Sequence, residues 1–220
     1  LLSGDSEIQF TSPVESVGYI DLTVAELARF GVSAQKSPSG YCVAGGQKYR
    51  SPGLVRVEGD WSNAAFFLAA SALGGAVEVR GLNAQSAQGD RAIAELIPGF
   101  AGERERVIDA SDIPDLVPIL AVLAAYAPGS THIERAARLR IKESDRLSAM
   151  AEGLGRLGAQ VKERPDGLII CGAGRLSGGR VNSYNDHRVA MAMAIAATAA
   201  DAPVILEGAE AVEKSYPGFF

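Results

Sequence analysis

Residues 186–207 read DHRVAMAMAIAATAADAPVILE, and this stretch shows the plan on which the fold is built. An aspartate opens it, an apolar run rich in alanine follows, and a short break leads into a strand-like VILE. A run that is apolar nearly all round predicts a buried helix, and an aspartate at its start suits the N-cap or the first turn. Because residues 60–80 and 112–134 follow the same plan, we predict three buried helices, each followed by a strand.

A second repeat is marked by glycines. Two sets of three glycines share one spacing of nine and then five residues: Gly31, Gly40 and Gly45, and Gly158, Gly167 and Gly172. The first glycine of each set follows an amphipathic helix, where a left-handed C′ position favours glycine. The second ends a turn between two short strands. The predicted repeating unit is therefore strand, helix, strand, helix, strand, strand.

These elements predict an α/β (α+β) fold of repeated βαβαββ units in two unequal parts. Residues 56–220 hold about three helix pairs, enough for one complete domain. Residues 1–55 hold only a strand, a helix over residues 20–30 and a hairpin around Gly40. We therefore interpret residues 1–55 as the incomplete C-terminal part of a similar preceding domain, whose first part would lie upstream of Leu1.

Composition excludes several classes of protein. With 220 residues, 47% of them hydrophobic, the chain is globular, and its net charge of −5 argues against nucleic-acid binding. The apolar stretch at residues 189–200 is shorter than the roughly 20 residues that cross a membrane. The chain start lacks an export signal, which predicts a cytoplasmic location. Cys42 and Cys171 lie far apart in strand-like runs, so we expect buried thiols and neither a disulfide nor a zinc site.

Two charged segments stand where helices are predicted to begin, namely Lys142-Glu143-Ser144-Asp145-Arg146 and Tyr184-Asn185-Asp186-His187-Arg188. A helix N-terminus carries unpaired N–H groups and a partial positive charge, so cations are disfavoured there and anions bind. Lys142 and Arg146 are four residues apart, which places both on one face of the predicted helix. The simplest explanation for cations at these helix starts is a bound anion that both the N–H groups and the cations contact. Arginine suits this role because it can form two hydrogen bonds to a phosphate or carboxylate.

Each segment also has a purely structural interpretation. The cations of the first segment could pair with its own acids on a solvated face. Arg188 could cap carbonyl groups of a neighbouring strand, and His187 could be a structural hydrogen-bonding group. Both segments, however, start helices that the repeat places at equivalent edges of one domain. This coincidence favours a shared anion-binding cleft.

These motifs resemble a known family. R-x-K-E-S-D-R at residues 140–146 and Y-N-D-H-R at residues 184–188 are similar to signatures of 5-enolpyruvylshikimate-3-phosphate synthases, and residues 57–65, 113–115 and 214–217 match in the same order. The resemblance implies two domains, each of three βαβαββ units, that close on substrates between them. It implies a transferase that moves the enolpyruvyl group of phosphoenolpyruvate to the 5-hydroxyl of shikimate 3-phosphate and releases phosphate, in aromatic amino-acid (chorismate) biosynthesis. It implies no metal and no organic cofactor.

The resemblance assigns three catalytic residues by position. Asp115 would act on the 5-hydroxyl, although its residue type equally suits a first-turn acid of a helix. Glu143 would exchange the methylene proton of phosphoenolpyruvate, and it would have to be buried to hold a proton near neutral pH. His187 would orient the cleft or assist the departure of phosphate.

The resemblance also assigns two sets of binding residues. Phosphoenolpyruvate would be bound by Arg146, Arg188 and Lys214. Shikimate 3-phosphate would be bound by Lys142, Asp115, Ser16 and Tyr19, the last two from the smaller part of the chain. Arg138 stands where some members have an asparagine that touches shikimate, so this contact is not carried over.

The family's other motifs are absent from residues 1–220 and are expected upstream. They are a G-S-K-S segment, a glycine-rich phosphoenolpyruvate loop and an S-S-Q segment. We therefore predict that the partner is the missing N-terminal half of the enzyme and that the chain alone is inactive. Two alternatives stay open. One is the sister enzyme that acts on UDP-N-acetylglucosamine, which the two charged motifs disfavour, and the other is a non-catalytic binding or scaffold fragment of the same fold.

Overall fold

A computed structural model describes residues 2–102 and 104–220. The α-helices in these residues are α1 Val17–Arg29, α2 Trp61–Ala72, α3 Ile93–Gly102, α4 Val117–Tyr126, α5 Arg146–Arg156 and α6 His187–Thr198. The strands are β1 Ser6–Gln9, β2 Gln35–Ser37, β3 Gly40–Val43, β4 Glu105–Asp109, β5 Gly129–Glu134, β6 Gln160–Arg164, β7 Gly167–Gly172, β8 Gly179–Asn182 and β9 Val204–Glu207. Short 3-10 helices span Gly89–Ala92, Pro114–Leu116, Ala137–Ile141 and Ala209–Lys214. None of the described helices combines the length and the apolarity that a bilayer span requires.

One βαβαββ unit is complete and runs from β4 to β7. Its four strands form one sheet in the order β4-β5-β7-β6. β4 and β5 are parallel, so they need a long crossover, which α4 provides. β7 is antiparallel to β5 and to β6, and the tight turn at residues 165–166 joins β6 to β7. α5 provides the second crossover of the unit.

Residues 6–43 repeat the second half of this unit. β1, β3 and β2 form a sheet in the order β1-β3-β2, with β3 antiparallel to both neighbours. This is the arrangement of β5, β7 and β6 in the complete unit. α1 takes the place of α5. The predicted internal repeat is therefore present in the topology.

The glycine spacing has a structural cause that is the same in both copies. Gly31 and Gly158 follow their helices with left-handed φ values of 77° and 91°. Gly40 and Gly167 each open the last strand of their copy, and a Cβ on either would lie 1.8 Å from a carbonyl oxygen of the first strand. No side chain fits at these two positions, so the spacing of glycines follows the spacing of backbone contacts.

α2, α4 and α6 contact one another and form the core together with the sheet around β5 and β7. In α4, residues 117–125 are all buried. Asp60 and Asp186 cap α2 and α6 as predicted, since each side chain accepts hydrogen bonds from two backbone N–H groups of the first turn. The first turns of the three buried helices thus lie near one another, and the polar residues of these turns can form one site.

Two predictions about helices and strands, and one about the burial of the cysteines, are wrong. Asp112 does not cap α4, because the 3-10 helix Pro114–Leu116 comes first and proline favours the first position of a helix. Residues 77–80 are not a strand, because no described strand pairs with them and they lie mostly at the surface. Both cysteines are exposed. Alternate residues of a strand face the core, and Tyr41 and Ile170 occupy the inward positions next to them.

Gly167→Ala should destabilise the protein, because a Cβ here would lie 1.8 Å from the carbonyl oxygen of Ile133. Overpacking of this kind costs about 1–3 kcal/mol or more, so we expect the urea midpoint of unfolding to fall. Gly155→Ala is the matched control, since nothing lies within 4 Å of its Cβ and alanine is about 1 kcal/mol better than glycine inside a helix. A Gly167→Ala protein as stable as the wild type would contradict the close approach of β7 to β5.

Candidate active site

Arg146, the first residue of α5, is only 1% exposed and is surrounded by carboxylates. Its Nε donates to Asp186 at 2.8 Å, its Nη1 to Asp115 at 2.9 Å and its Nη2 to Glu143 at 2.6 Å. Burial alone would lower the pKa of Arg146, but the three carboxylates outweigh burial and raise it. The buried guanidinium therefore stays charged and holds three acidic groups in place.

Asp186 joins the two charged segments. It is 0% exposed, and one carboxylate oxygen accepts from the backbone N–H of Arg188 at 2.9 Å and so caps α6. The other oxygen accepts from Arg146 and from the hydroxyl of Ser144, the latter at 3.1 Å. Burial raises the pKa of Asp186, but Arg146 and these hydrogen bonds hold it below its ordinary value. One carboxylate thus serves both as a helix cap and as half of an ion pair.

Asp115 lies where the starts of the helices meet. On one side the Nζ of Lys142 is 3.6 Å from its carboxylate, and the hydroxyl of Tyr19 donates to it at 3.1 Å. On the other side are Arg146 and the Nη2 of Arg188, the latter at 3.4 Å. Burial raises the pKa of Asp115, but Arg188, Lys142 and Arg146 outweigh burial and lower it. Asp115 is therefore an anion at neutral pH.

A cleft of about 650 Å³ opens beside Asp115. One wall is residues 9–16 with Tyr19 and Ile20, and the other is Asp115, Arg138 and Lys142. Ser16 is buried with a left-handed φ of 57°. Its N–H donates to the carbonyl of Ser111 at 3.2 Å. This bond and the one between Tyr19 and Asp115 both connect the smaller part of the chain to the larger part across the cleft.

The other predicted residues lie at or near the start of α6, behind the cleft. The Nη1 of Arg188 donates to the hydroxyl of Ser62 at 2.6 Å. His187 is buried, and its Nδ1 has no hydrogen-bond partner among the described residues. Burial and the charge of Arg188 lower the pKa of His187, so the imidazole is neutral at pH 7. Lys214 is exposed and donates to the carbonyl of Asn185, which keeps it beside the second charged segment.

Two expectations about the first charged segment are wrong. Lys142 and Arg146 do not share a helix face, because α5 begins only at Arg146, where Asp145 caps it. Lys142 instead follows the 3-10 helix Ala137–Ile141 and reaches the cleft from there. Glu143 is not buried, since its side chain is 42% exposed. The solvated-face interpretation is nevertheless wrong for Arg146, which is the buried member of the pair with Glu143.

Sequence reasoning did not place three polar residues of this region in the site. Asp186 was expected only as a helix cap. Ser62 stands two residues after the cap of α2, which is the place that Arg188 has in α6, and this equivalence could have revealed it. Asp90 is 4% exposed, and its Oδ1 has no partner among the described residues. Asp90 belongs neither to the two charged segments nor to the three helix starts that an aspartate marks, so the sequence did not assign it to the site.

The arrangement is suited to binding an anion next to a carboxylate. Helix starts and several cations converge on Asp115, which faces a polar cleft and can accept a proton from a hydroxyl group. Three of the five N–H donors of Arg146 contact carboxylates, and Glu143 is the most exposed of the three partners. Within residues 2–102 and 104–220, no three His, Cys, Asp or Glu side chains are grouped to hold a metal ion.

Comparison with known proteins supports one family. The family model described as EPSP synthase (3-phosphoshikimate 1-carboxyvinyltransferase) matches residues 1–220. A 3-phosphoshikimate 1-carboxyvinyltransferase from Clostridium acetobutylicum is 46% identical over 233 aligned residues, covering 100% of this chain and 54% of that protein. One from Methanocaldococcus jannaschii is 41% identical over 232, covering 98% and 54%. A solved EPSP synthase from Acinetobacter baumannii is similar with a TM-score of 0.80 at 26% identity, covering 99% of this chain and 55% of that one. The chain thus spans about half the length of the curated relatives it matches.

Asp186→Asn should lower the free energy of unfolding by about 3 kcal/mol at pH 7, because it removes one carboxylate from the buried Arg146. Asparagine is also a good N-cap, so the change isolates the ion pair from the cap. The matched control is Asp60→Asn in the cap of α2, a carboxylate for which the described part of the chain shows no ion pair. This control should cost less than about 0.5 kcal/mol in urea unfolding.

The same pair of variants predicts a pH dependence. The folded-state pKa of Asp186 is lowered, so its stabilising effect is complete above the unfolded value of about 3.9 and is lost as the pH falls through the folded value. The difference between wild type and Asp186→Asn should be constant between about pH 5 and 7 and shrink in stronger acid. Equal stability at pH 7, or a difference that grows in acid, would contradict the proposed role of the ion pair.

Proposed function

Because the chain belongs to the EPSP synthase (3-phosphoshikimate 1-carboxyvinyltransferase) family, we propose that it forms part of an enolpyruvyl transferase. The enzyme would join the enolpyruvyl group of phosphoenolpyruvate to the 5-hydroxyl of shikimate 3-phosphate and release phosphate, in chorismate biosynthesis. The observation that carries the proposal is the position of Asp115. It faces a polar cleft on one side and two arginines on the other.

The acceptor substrate would lie in the cleft beside Asp115. Ser16 and Lys142 line the cleft and can donate hydrogen bonds to the phosphate of shikimate 3-phosphate. Tyr19 would complete this side and hold the carboxylate of Asp115 by its hydroxyl. Since Asp115 is ionised, it can take the proton of the 5-hydroxyl as that oxygen attacks C2 of phosphoenolpyruvate.

The donor substrate would lie at the start of α6. Arg188 and Lys214 would bind its phosphate and carboxylate, and one of these anionic groups would replace Glu143 on Arg146. Glu143, now free of the arginine and 42% exposed, would take up a proton from solvent and give it to the methylene carbon in the addition step. It would take a proton back from that carbon as the C–O bond to phosphate breaks, and the phosphate would leave with the proton that Asp115 took from the 5-hydroxyl. His187, which is neutral, would orient the leaving phosphate by a hydrogen bond.

We propose that the chain works together with the further half that its relatives contain. α1 buries none of its residues, whereas its counterpart α5 buries six. β1 is an edge strand, whereas its counterpart β5 pairs on the equivalent side with the parallel strand β4. An unpaired edge and an uncovered helix face both favour a partner. In this proposal residues 1–55 belong to one domain and residues 56–220 to the other, and a cytoplasmic location stays a prediction.

An assay of phosphate release tests the proposed function. Residues 1–220 would be incubated with phosphoenolpyruvate and shikimate 3-phosphate, first alone and then co-purified with the N-terminal half of the Clostridium acetobutylicum relative. We expect release only from the two halves together. Asp115→Asn should slow release by about 10²- to 10⁴-fold, the usual contribution of a general base. Asp112→Asn, an exposed carboxylate three residues away, should leave the rate unchanged.

The possible outcomes separate the alternatives. Gel filtration first shows whether the two halves form a complex. A complex that binds phosphoenolpyruvate but releases no phosphate would contradict the transferase and favour a binding module. Release with UDP-N-acetylglucosamine in place of shikimate 3-phosphate would assign the sister reaction. Release by residues 1–220 alone would contradict the need for a partner.

A further inference from the structure

Ser183 is a buried serine to which the mechanism above gives no role. It directly follows β8 and is 0% exposed. Its hydroxyl donates to the carbonyl of Gly208 at 2.8 Å and accepts from the backbone N–H of Asn185 at 3.1 Å. Its own backbone N–H donates to the carbonyl of Glu207 at 2.9 Å. Ser183 therefore connects the turn before α6 to the segment that follows β9, 25 residues further along the chain.

The turn that Ser183 contacts has an unusual backbone. Tyr184 and Asn185 have left-handed φ values of 52° and 58°, and neither is glycine. Asparagine tolerates this conformation, whereas for tyrosine it is unfavourable. Such a conformation persists only where the surrounding contacts enforce it, and it is concentrated at functional sites. Asn182 stabilises the turn from within, since its side chain accepts from the N–H of Tyr184 at 2.6 Å, and Ser183 fixes the turn to Gly208.

The carbonyl group of Asn185, in this turn, accepts a hydrogen bond from the Nζ of Lys214. Lys214 is exposed and ends the 3-10 helix Ala209–Lys214. A free lysine side chain samples many rotamers, and a ligand that binds it has to restrict them. The contact with Asn185 restricts Lys214 in advance and keeps it beside the start of α6, where Arg188 lies.

The other end of this 3-10 helix lies against Ser183. Gly208 is its N-cap and has a left-handed φ of 71°. A Cβ on Gly208 would lie 2.5 Å from the hydroxyl oxygen of Ser183, so only glycine fits here. Both ends of the 3-10 helix are thus held by the turn before α6, one through Ser183 and the other through Asn185. The structural alternative is a buried serine that only satisfies a backbone carbonyl.

We propose that Ser183 is a positioning residue: its hydroxyl fixes the turn before α6 to Gly208, so that the carbonyl of Asn185 holds Lys214 ready for an anionic ligand. The proposal rests on the proposed function only for the identity of that ligand, phosphoenolpyruvate. It does not make Ser183 a catalytic residue, since Ser183 is 0% exposed and would touch neither substrate.

The chemical reactivity of Lys214 tests the proposal without any substrate. Residues 1–220 would be labelled by reductive methylation, and mass spectrometry would give the rate at Lys214 relative to Lys162, an exposed lysine on β6. Ser183→Ala should raise this ratio roughly fivefold, the effect of losing one hydrogen bond, because Asn185 no longer holds the Lys214 amine. If Ser183→Ala does not fold, Ser183→Cys has a similar size and a weaker donor, and it should raise the ratio in the same direction.

Ser177→Ala is the matched control for a structural role. The Ser177 hydroxyl also donates to a backbone carbonyl, that of Leu157 at 2.9 Å, and it also adjoins a left-handed glycine, Gly158. It lies at the opposite end of α5 from Arg146. Both alanine variants should lower the urea midpoint of unfolding, but only Ser183→Ala should change the Lys214 ratio. An unchanged ratio in the folded Ser183 variant, or an equal rise in Ser177→Ala, would overturn the proposal.

A double-mutant cycle links the proposal to function. In the complex of residues 1–220 with the N-terminal half of the Clostridium acetobutylicum relative, Ser183→Ala should weaken phosphoenolpyruvate binding roughly fivefold by calorimetry. The same change should have no effect when Lys214 has already been replaced by alanine. Equal weakening in both backgrounds would contradict a role that acts through Lys214. If the wild-type complex binds no phosphoenolpyruvate, the proposed function fails, and the labelling ratio still decides whether Ser183 positions Lys214.

Discussion

The buried ion pair between Arg146 and Asp186 is the contact on which the rest of the site depends. It joins two segments that are 40 residues apart in the chain, and both partners are almost fully removed from solvent. Either charge alone would be strongly destabilising in this position. Because Asp186 also caps α6 and Arg146 also contacts Asp115, this one pair holds the start of α6 against the start of α5 and against the central carboxylate. The geometry that could bind an anion is thus a consequence of how the fold pairs its own charges.

The fold was largely predictable because its main constraints are local in the sequence. The glycine spacing follows from backbone contacts that leave no room for a Cβ at Gly40 or Gly167. The aspartate before each apolar run predicted two of three helix caps for the same reason, since a cap acts on the next two or three residues. The prediction of a strand at residues 77–80 was wrong, because a strand must pair with a neighbouring strand. The sequence of the segment alone does not show whether such a neighbour is present. The exposure of both cysteines likewise depends on which side of the sheet meets the helices.

The site was predictable in its position and less so in its detail. The repeat placed both charged segments at the starts of helices in one domain, and the structure brings Arg146, Arg188 and Lys142 together around Asp115. The exposure of Glu143 and the contact between Ser62 and Arg188 could not be read from the sequence. Both depend on distances between segments far apart in the chain. The catalytic and binding roles themselves come from resemblance to the family and remain proposals.

The role of the ion pair between Arg146 and Asp186 can be tested by the affinity for phosphoenolpyruvate of the complex between residues 1–220 and the N-terminal half of the relative, compared between wild type and Asp186→Asn. Asp186 would touch neither substrate, yet its ion pair positions Arg146. We expect calorimetry at pH 7 to find binding weakened by roughly tenfold or more in a variant that is still folded. An unchanged dissociation constant in a folded Asp186→Asn complex would contradict the claim that this pair organises the anion site.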